Sequence, residues 1–316
     1  MAIVNPGYRG IAYLDAIGGG TNVRFASADV SAKQEVVADD LIMGDWDRDA
    51  YYYGKIEVGG SISGPVTETF TGGIAACGAT SSGDEGVFQW AATRTAPCGS
   101  LTESGLTLYY YCDSDTGEGR SKAFTGMKVN SLNFSCTAGD VAQFSIDVMG
   151  KSASTWNESA IPHFTTSEKL ITWDKVSVGI GTPGCSSETR GDAGHMPTAA
   201  EVLLLNYQSF SFDISNNLEA AYSLSQANLF PVDIVPGLRS ISGSLTAYNA
   251  PNFNGFDTWD DYWADGIVPL TFNVGNLSIV MNVRFHRVQP SSATGLITST
   301  VAFTGVGHQD GAPWEA

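Results

Sequence analysis

Gly179-Ile180-Gly181-Thr182-Pro183-Gly184 has the glycine spacing of a turn that cradles a dinucleotide phosphate, and it follows a strand-like run. The cradle also needs a helix to open behind it, so that the helix N-terminus meets the phosphate. Cys185-Ser186-Ser187 and the glycines beyond do not read as one. Asp45, Asp47 and Asp49, and likewise Asp113 and Asp115, alternate as the first ligands of a calcium loop do. Neither run has the glycine at position six or the glutamate at position twelve that completes the loop, so both read as solvated turns. Arg190-Gly191-Asp192 matches an adhesion tripeptide by composition alone, within a loop-rich stretch.

The catalytic side chains are equally sparse. His163, His195, His286 and His308 form no H-E-x-x-H pair, and no G-x-S-x-G elbow occurs. His286 lies between Arg284 and Arg287 on a strand whose apolar members are Val283, Phe285 and Val288, which suits a contact between subunits. Cys77, Cys98, Cys112, Cys136 and Cys185 are odd in number and lack zinc-type spacing. Cys136 alternates with Leu132 and Phe134 and reads as a core thiol, whereas Cys77 and Cys98 flank a Gly/Ser/Thr-rich stretch and could pair in an oxidising medium. Trp259 and Trp263 could form a sugar platform, or anchor a helix to its own sheet. No catalytic residue, cofactor or metal is expected.

Composition narrows the class further. With 43% apolar and 16% charged residues the chain is a folded protein. Its formal charge is −17, of which −9 falls before residue 165 and −8 after it. Such a surface repels phosphate backbones and argues against tight nucleic-acid binding. Residues 1–10 contain neither a basic nor an apolar leader region, and no stretch reaches the roughly 18 apolar residues of a spanning helix, so a cytoplasmic product with no membrane partner is expected.

The elements that must position these residues are strands, and they occur twice. Ser61-Ile62-Ser63-Gly64 with Val66-Thr67 recurs as Ser240-Ile241-Ser242-Gly243 with Leu245-Thr246. Asp29-Val30-Ser31 followed by Glu35 recurs as Asp213-Ile214-Ser215 followed by Glu219. A closing hairpin, Leu132 to Cys136 and Phe144 to Gly150, parallels Val283 to Val288 and Ile297 to Gly305. Phe210, Phe212 and Ile214 alternate with polar neighbours, as do Leu277, Ile279, Met281, Val283 and Phe285. Two short helices are expected, over 256–264 and, against the β-branched Val36 and Val37, over 32–43. The expected organisation is a first module at 1–160 with an insertion at 70–128 that the second half lacks, a linker at 161–200 with one strand-like run at 169–178, and a second module at 201–316. Each half is long enough to bury a core of its own. Open modules of this kind expose strand edges, and closing them into a ring removes those edges.

At this point the residues resemble a known family. Phe210 to Glu219, then Leu229-Phe230-Pro231 through Arg239-Ser240-Ile241-Ser242-Gly243-Ser244-Leu245-Thr246, is similar to the major tail tube proteins of long-tailed bacteriophages. Val129 to Phe134, the turn at Gly139-Asp140 and Phe144 to Gly150 resemble that family's closing hairpin. The resemblance implies a mainly β fold: two tandem tail-tube-like β-sandwich or barrel modules, each with a short helix, contributing strands to a ring-wide inner β-barrel. It also implies a virion structural protein, assembled in the host cytoplasm, whose rings stack into a channel for DNA ejection. Implied partners are further copies of the chain and the terminator, tape measure and distal tail proteins, with DNA passing through unbound. Most family members carry one module per chain and form hexamers, so a duplicated chain implies a trimeric ring, with the hexamer as the alternative.

An acidic lining would keep DNA moving, and Asp147, Asp213 and Glu219 are the candidate lumen-facing acids, lying on or beside polar faces of the matched strands. Loops 36–54 and 179–197 are candidate arms between rings. The readings left open are another tail ring protein, distal tail or baseplate, and a carbohydrate-binding β-sandwich adhesin or hydrolase.

Overall fold

Alternation along the chain becomes two faces of one sheet. Phe210, Phe212 and Ile214 are buried while Ser209, Ser211 and Asp213 lie on the open side, and Phe144, Ile146 and Val148 are buried between the outward Ser145, Asp147 and Met149. The computed structural model describes residues 10–16, 26–38, 51–67, 106–112, 120–158, 169–180, 202–203, 207–224, 229–248, 268–275, 277–286, 289–290 and 298–306.

Strands in the first part of the chain are β1 (Gly10–Ala16), β2 (Ser27–Ala38), β3 (Tyr51–Pro65), β4 (Leu106–Cys112), β5 (Arg120–Thr137), β6 (Gln143–Gly150), β7 (Ser152–Ala153) and β8 (Asn157–Glu158). A 3-10 turn, Trp173–Lys175, leads into β9 (Val176–Ile180). Then follow β10 (Val202–Leu203), β11 (Tyr207–Ser215), β12 (Glu219–Ala221), β13 (Asp233–Val235), β14 (Ser240–Tyr248), β15 (Val268–Val274), β16 (Leu277–Phe285), β17 (Gln289–Pro290) and β18 (Thr298–Gly305). Every pairing is antiparallel. The main sheet runs β10-β9-β15-β16-β18-β14-β11-β5-β6-β3-β2, and β1 joins it through β4 and β5. The mainly β expectation therefore holds.

No α-helix occurs among the described residues. The helix expected over 32–43 is instead strand as far as Ala38, paired with β3 from Ala32↔Val58 to Ala38↔Tyr51. A ladder to β3 suits the β-branched Val36 and Val37, whose χ1 freedom a helix would restrict. The helix expected over 256–264 lies outside the described residues.

Two stretches expected to lie outside the repeated elements carry strands of the main sheet. Within the stretch expected to be a linker, β9 pairs with both β15 and β10, and Val176 and Val178 are buried. Within the stretch expected to be an insertion without counterpart, β4 pairs with β5 starting at Leu106↔Met127, just as β15 pairs with β16 starting at Val268↔Val283. Leu108, Phe124 and Met127 are buried in the first hairpin, and Leu270, Phe272, Ile279 and Met281 in the second.

β5 does most to join the parts. Its Arg120–Met127 portion pairs with β4, its register shifts between Val129 and Ser131, and its Ser131–Thr137 portion pairs with β11. The bend before the shift uses Gly126, whose φ of 66° side chains rarely adopt. Across the β5–β11 pair, Phe134 lies 5.3 Å from Phe212 and 5.7 Å from Phe210 between ring centroids, and Phe272 continues the stack at 4.9 Å and 5.2 Å from those two rings. Instead of one core per half, a single buried cluster spans Val30, Ile62 and Phe134 on one side and Phe212, Phe272 and Phe303 on the other.

The glycine of the recurring Ser-Ile-Ser-Gly run has a packing reason in its second copy. A Cβ on Gly243 would come within 2.2 Å of Cζ of Phe303 and 2.5 Å of the Ser211 carbonyl oxygen, so the ring lies directly over the backbone.

Phe134→Ala should lower stability by about 3–5 kcal/mol, the usual cost of emptying a buried phenylalanine site. Chemical denaturation should still give one transition for the whole chain. Two separated transitions, one per half, would contradict the shared core.

Candidate functional site: the open sheet face and the junction that extends it

The open side of the main sheet is a field of hydroxyls and amides with acids set into it. Asp29 pairs with Ser61, Ser61 with Asp147, Asp147 with Ser131, and Ser131 with Ser215. Two residues along, Asp213 pairs with Asn133 on one side and Ser242 on the other. Ser131 Oγ donates to Asp147 Oδ2 at 2.7 Å, and Asn133 Nδ2 donates to Asp213 Oδ1 at 2.6 Å. The two candidate acids are thus both exposed on one face, each held by β5.

Asp29 belongs with them. It is exposed, faces the same way, and stands in the repeat where Asp213 stands. The recurring Asp-hydrophobic-Ser run was the signal that could have singled it out. Glu219 lies elsewhere, on β12, which pairs only with β13 in a separate two-stranded sheet. A two-strand step is roughly 10 Å, about one Debye length at physiological salt, so Asp29 and Asp147 repel each other only weakly in solution. That spacing suits a diffuse field and not a metal cage. Among the described residues no group of three or more His, Cys, Asp or Glu could hold a metal. Toward the far end of the sheet Arg284 pairs with Thr304, and His286 Nε2 lies 2.6 Å from Thr304 Oγ1.

The second feature is the β5–β11 junction. Ala138 N–H donates to the Gln208 carbonyl at 2.8 Å, and Asn216 N–H to the Asn130 carbonyl at 2.7 Å, so the ladder is closed at both ends. Asn216 is fully buried; its Nδ2 donates to the Val129 carbonyl at 3.0 Å and its Oδ1 accepts from Arg239 Nε at 3.0 Å. Asn130 Oδ1 accepts from Leu218 N–H at 2.8 Å.

From there residues 217–224 and 229–239 lie across the first part of the chain as a strap. Lys128 Nζ donates to the Ile234 carbonyl at 2.6 Å, and Lys151 Nζ meets Asp233 Oδ1 at 2.8 Å. At the other end Ile56 N–H donates to the Leu229 carbonyl at 2.8 Å, and the Tyr222 hydroxyl donates to the Ile56 carbonyl at 3.2 Å. The hydrogen bond from Lys151 holds the Asp233 carboxyl below its ordinary value, burial opposing only in part. Tyr222 and Ile56 alone are 166 residues apart, so no local motif marks these partners.

The third feature is what the sheet leaves open. β2 pairs with β3 on one side and with no strand on the other among the described residues.

Of the remaining sequence candidates, Cys136 is a buried free thiol as expected, its pKa pushed up to about 11 by burial. Gly179 and Ile180 lie in β9. The rest of that glycine run, the Asp45–Asp49 and Asp113–Asp115 clusters, the Arg190-Gly191-Asp192 tripeptide, His163, His195, His308, Cys77, Cys98, Cys185, Trp259, Trp263 and most of the candidate arms lie outside the described residues. No described helix is long and apolar enough to cross a membrane.

The main sheet thus has one apolar face and one hydroxyl-rich acidic face, and β2 lies at one end of it. The family described as phage tail tube protein matches residues 9–305, and the chain belongs to that family. Its role is structural, in the tail tube of the virion. No curated protein matches the chain.

Asp233 supplies a pH dependence. A carboxyl whose folded value lies below its unfolded value near 3.8 stabilises the strap above that value and loses the contribution as pH falls below it. Because Asp233 is half exposed, the effect is under about 1 kcal/mol. Protection of the strap amides, corrected for their intrinsic exchange rate, should therefore fall below about pH 4, and Asp233→Asn should abolish the difference. Equal pH dependence in the variant would assign it to another group.

Proposed function

We propose that the chain is a tandem duplication of one six-stranded module, and that three copies close edge to edge into a ring with pseudo-sixfold symmetry, the rings stacking into the tube that carries DNA. The observation that carries this is strand order. The first six strands are arranged β1-β4-β5-β6-β3-β2, and the set β9-β15-β16-β18-β14-β11 repeats that arrangement in the same chain order. On this reading the second module begins at β9 and not after residue 200.

The junction then has a further meaning. Inside the chain, the second strand of the second module, β11, pairs with the fifth strand of the first, β5. Among the described residues, the second strand of the first module, β2, has no strand on its outer side, and β17, which follows the fifth strand of the second module, pairs with β18 alone. Between chains, β2 would add to the β16–β17 side of a neighbour as β11 adds to β5. Repeating one heterologous contact with closure gives a ring without sheet edges.

The polar face supports a second part of the proposal, that Asp29, Asp147 and Asp213 line the bore. Three copies carry a formal charge of −51 in all. An acidic wall repels phosphates, and DNA then moves without breaking the contacts that a basic wall would form. Glu219, in its separate hairpin, belongs to the strap more than to this face. Assembly with terminator, tape measure and distal tail proteins, and in the host cytoplasm, completes the reading that family membership supports. A structural role needs no catalytic group.

Native mass of an isolated ring tests the count, three chains being expected and six overturning the pseudo-sixfold arrangement. Ala28→Pro tests the edge. Proline is tolerated on an edge strand and blocks addition of a further one, so the variant should keep its strand signal by circular dichroism and remain monomeric. Wild-type rings formed by that variant would sink the proposal. A density map of the tube should place Asp29, Asp147 and Asp213 on the bore; a bore lined by the buried-side hairpin β4 would reverse the assignment.

A further inference from the structure

Val30 N–H on the free edge of β2 is not bare: it donates to the hydroxyl of Tyr110 at 3.1 Å, across 80 residues of sequence. The direction of that donor follows from the junction within the chain. Asn216 N–H reaches the Asn130 carbonyl and Ala138 N–H reaches the Gln208 carbonyl, both in the phase of the pair Ile214↔Leu132. Alternate residues of an antiparallel strand bond to the same neighbour, so Ile214 N–H also points at β5. Val30 occupies in Asp29-Val30-Ser31 the place of Ile214 in Asp213-Ile214-Ser215. Its N–H is therefore one that an incoming strand would take.

Tyr110 is built to reach it. The residue lies on β4, half-buried against the core, with its ring edge-on to Phe124 at 5.7 Å. In the second half β15 has the place of β4, and the aromatic that reaches β11 there is Phe272, which has no hydroxyl. Where the edge is already satisfied by β5 the chain uses a phenylalanine; where the edge is open it uses a tyrosine.

We infer that the Tyr110 hydroxyl is a removable cap on the assembly edge, satisfying Val30 N–H in the free subunit and surrendering it when a second copy of this chain adds its strand. This rests on the edge-to-edge reading above. An unpaired edge donor is a template for indiscriminate strand addition, and a side-chain acceptor blunts it without closing it permanently. The partner strand must displace the hydroxyl, so the cap slows the first contact between subunits and is released by the ring.

The test is Tyr110→Phe in the full chain, with Tyr207→Phe as control. The Tyr207 hydroxyl also makes a backbone hydrogen bond, as donor to the Val176 carbonyl at 2.7 Å, but in the second half and away from β2. In dilute monomer, Tyr110→Phe should speed exchange of the Val30 amide about three- to tenfold, the worth of one such hydrogen bond, while amides of Val58 and Ile62 stay protected. On concentration, the lag before rings appear by light scattering should shorten by a similar factor, and Tyr207→Phe should leave it unchanged. Faster exchange with an unchanged or longer lag overturns the inference, as does unchanged exchange at Val30. A wild-type chain that forms no ring at any concentration removes the edge-to-edge reading itself, and the inference with it; wild-type rings with equal lags remove the cap alone.

Discussion

Seven consecutive residue pairs between β5 and β11, from Ser209↔Thr137 to Ser215↔Ser131, are the contact on which the rest of the structure depends. A backbone ladder cannot tolerate partial formation, because each buried N–H or C=O left without a partner costs about 1–3 kcal/mol. The ladder therefore forces Phe134 against Phe210 and Phe212, and once those rings stack the two parts of the chain share a core. The same ladder aligns the outward residues of both parts on one face. Without it the acids would lie on unrelated surfaces.

Around that ladder the polar groups divide by how far they are from water. At its rim Asn130 and Asn216 are tied to backbone groups that the end of β11 would otherwise leave unsatisfied, and Asn216 is buried because it is satisfied. On the open face Ser131 and Asn133 orient acids that remain exposed, where charge acts over about a Debye length instead of through a contact. The strap residues Lys128, Lys151 and Asp233 lie between these extremes and fasten a long connection to the first part of the chain.

Legibility followed the same division. Strands with a buried face were readable because alternation is a direct consequence of the pleat, as in Phe210 to Ile214 and Phe144 to Val148. Asp147 and Asp213 were readable as acids on polar faces for that reason. The helix expected over 32–43 is strand as far as Ala38 because β2 is an edge on which, among the described side chains, only Val30 is buried, so its periodicity is weak and the ladder to β3 decides its conformation. The pairing of β4 with β5 was not readable, because core positions can be filled by different residues. Glu219 followed Asp213 in the repeat and yet left the sheet, since the chain departs from β11 after Asn217, whose positive φ of 48° turns it away.

What the chain determined by itself was the kind of element, the recurrence of short strand motifs, the acidity and, by resemblance, the family, because each is written in local pattern and composition. What only the tertiary structure decided was that the halves share one sheet and one core, that β9 belongs to that sheet, and that Tyr110 meets Val30. Those contacts join residues tens to more than a hundred positions apart. Their partners are chosen by register and packing, which no local window of sequence encodes.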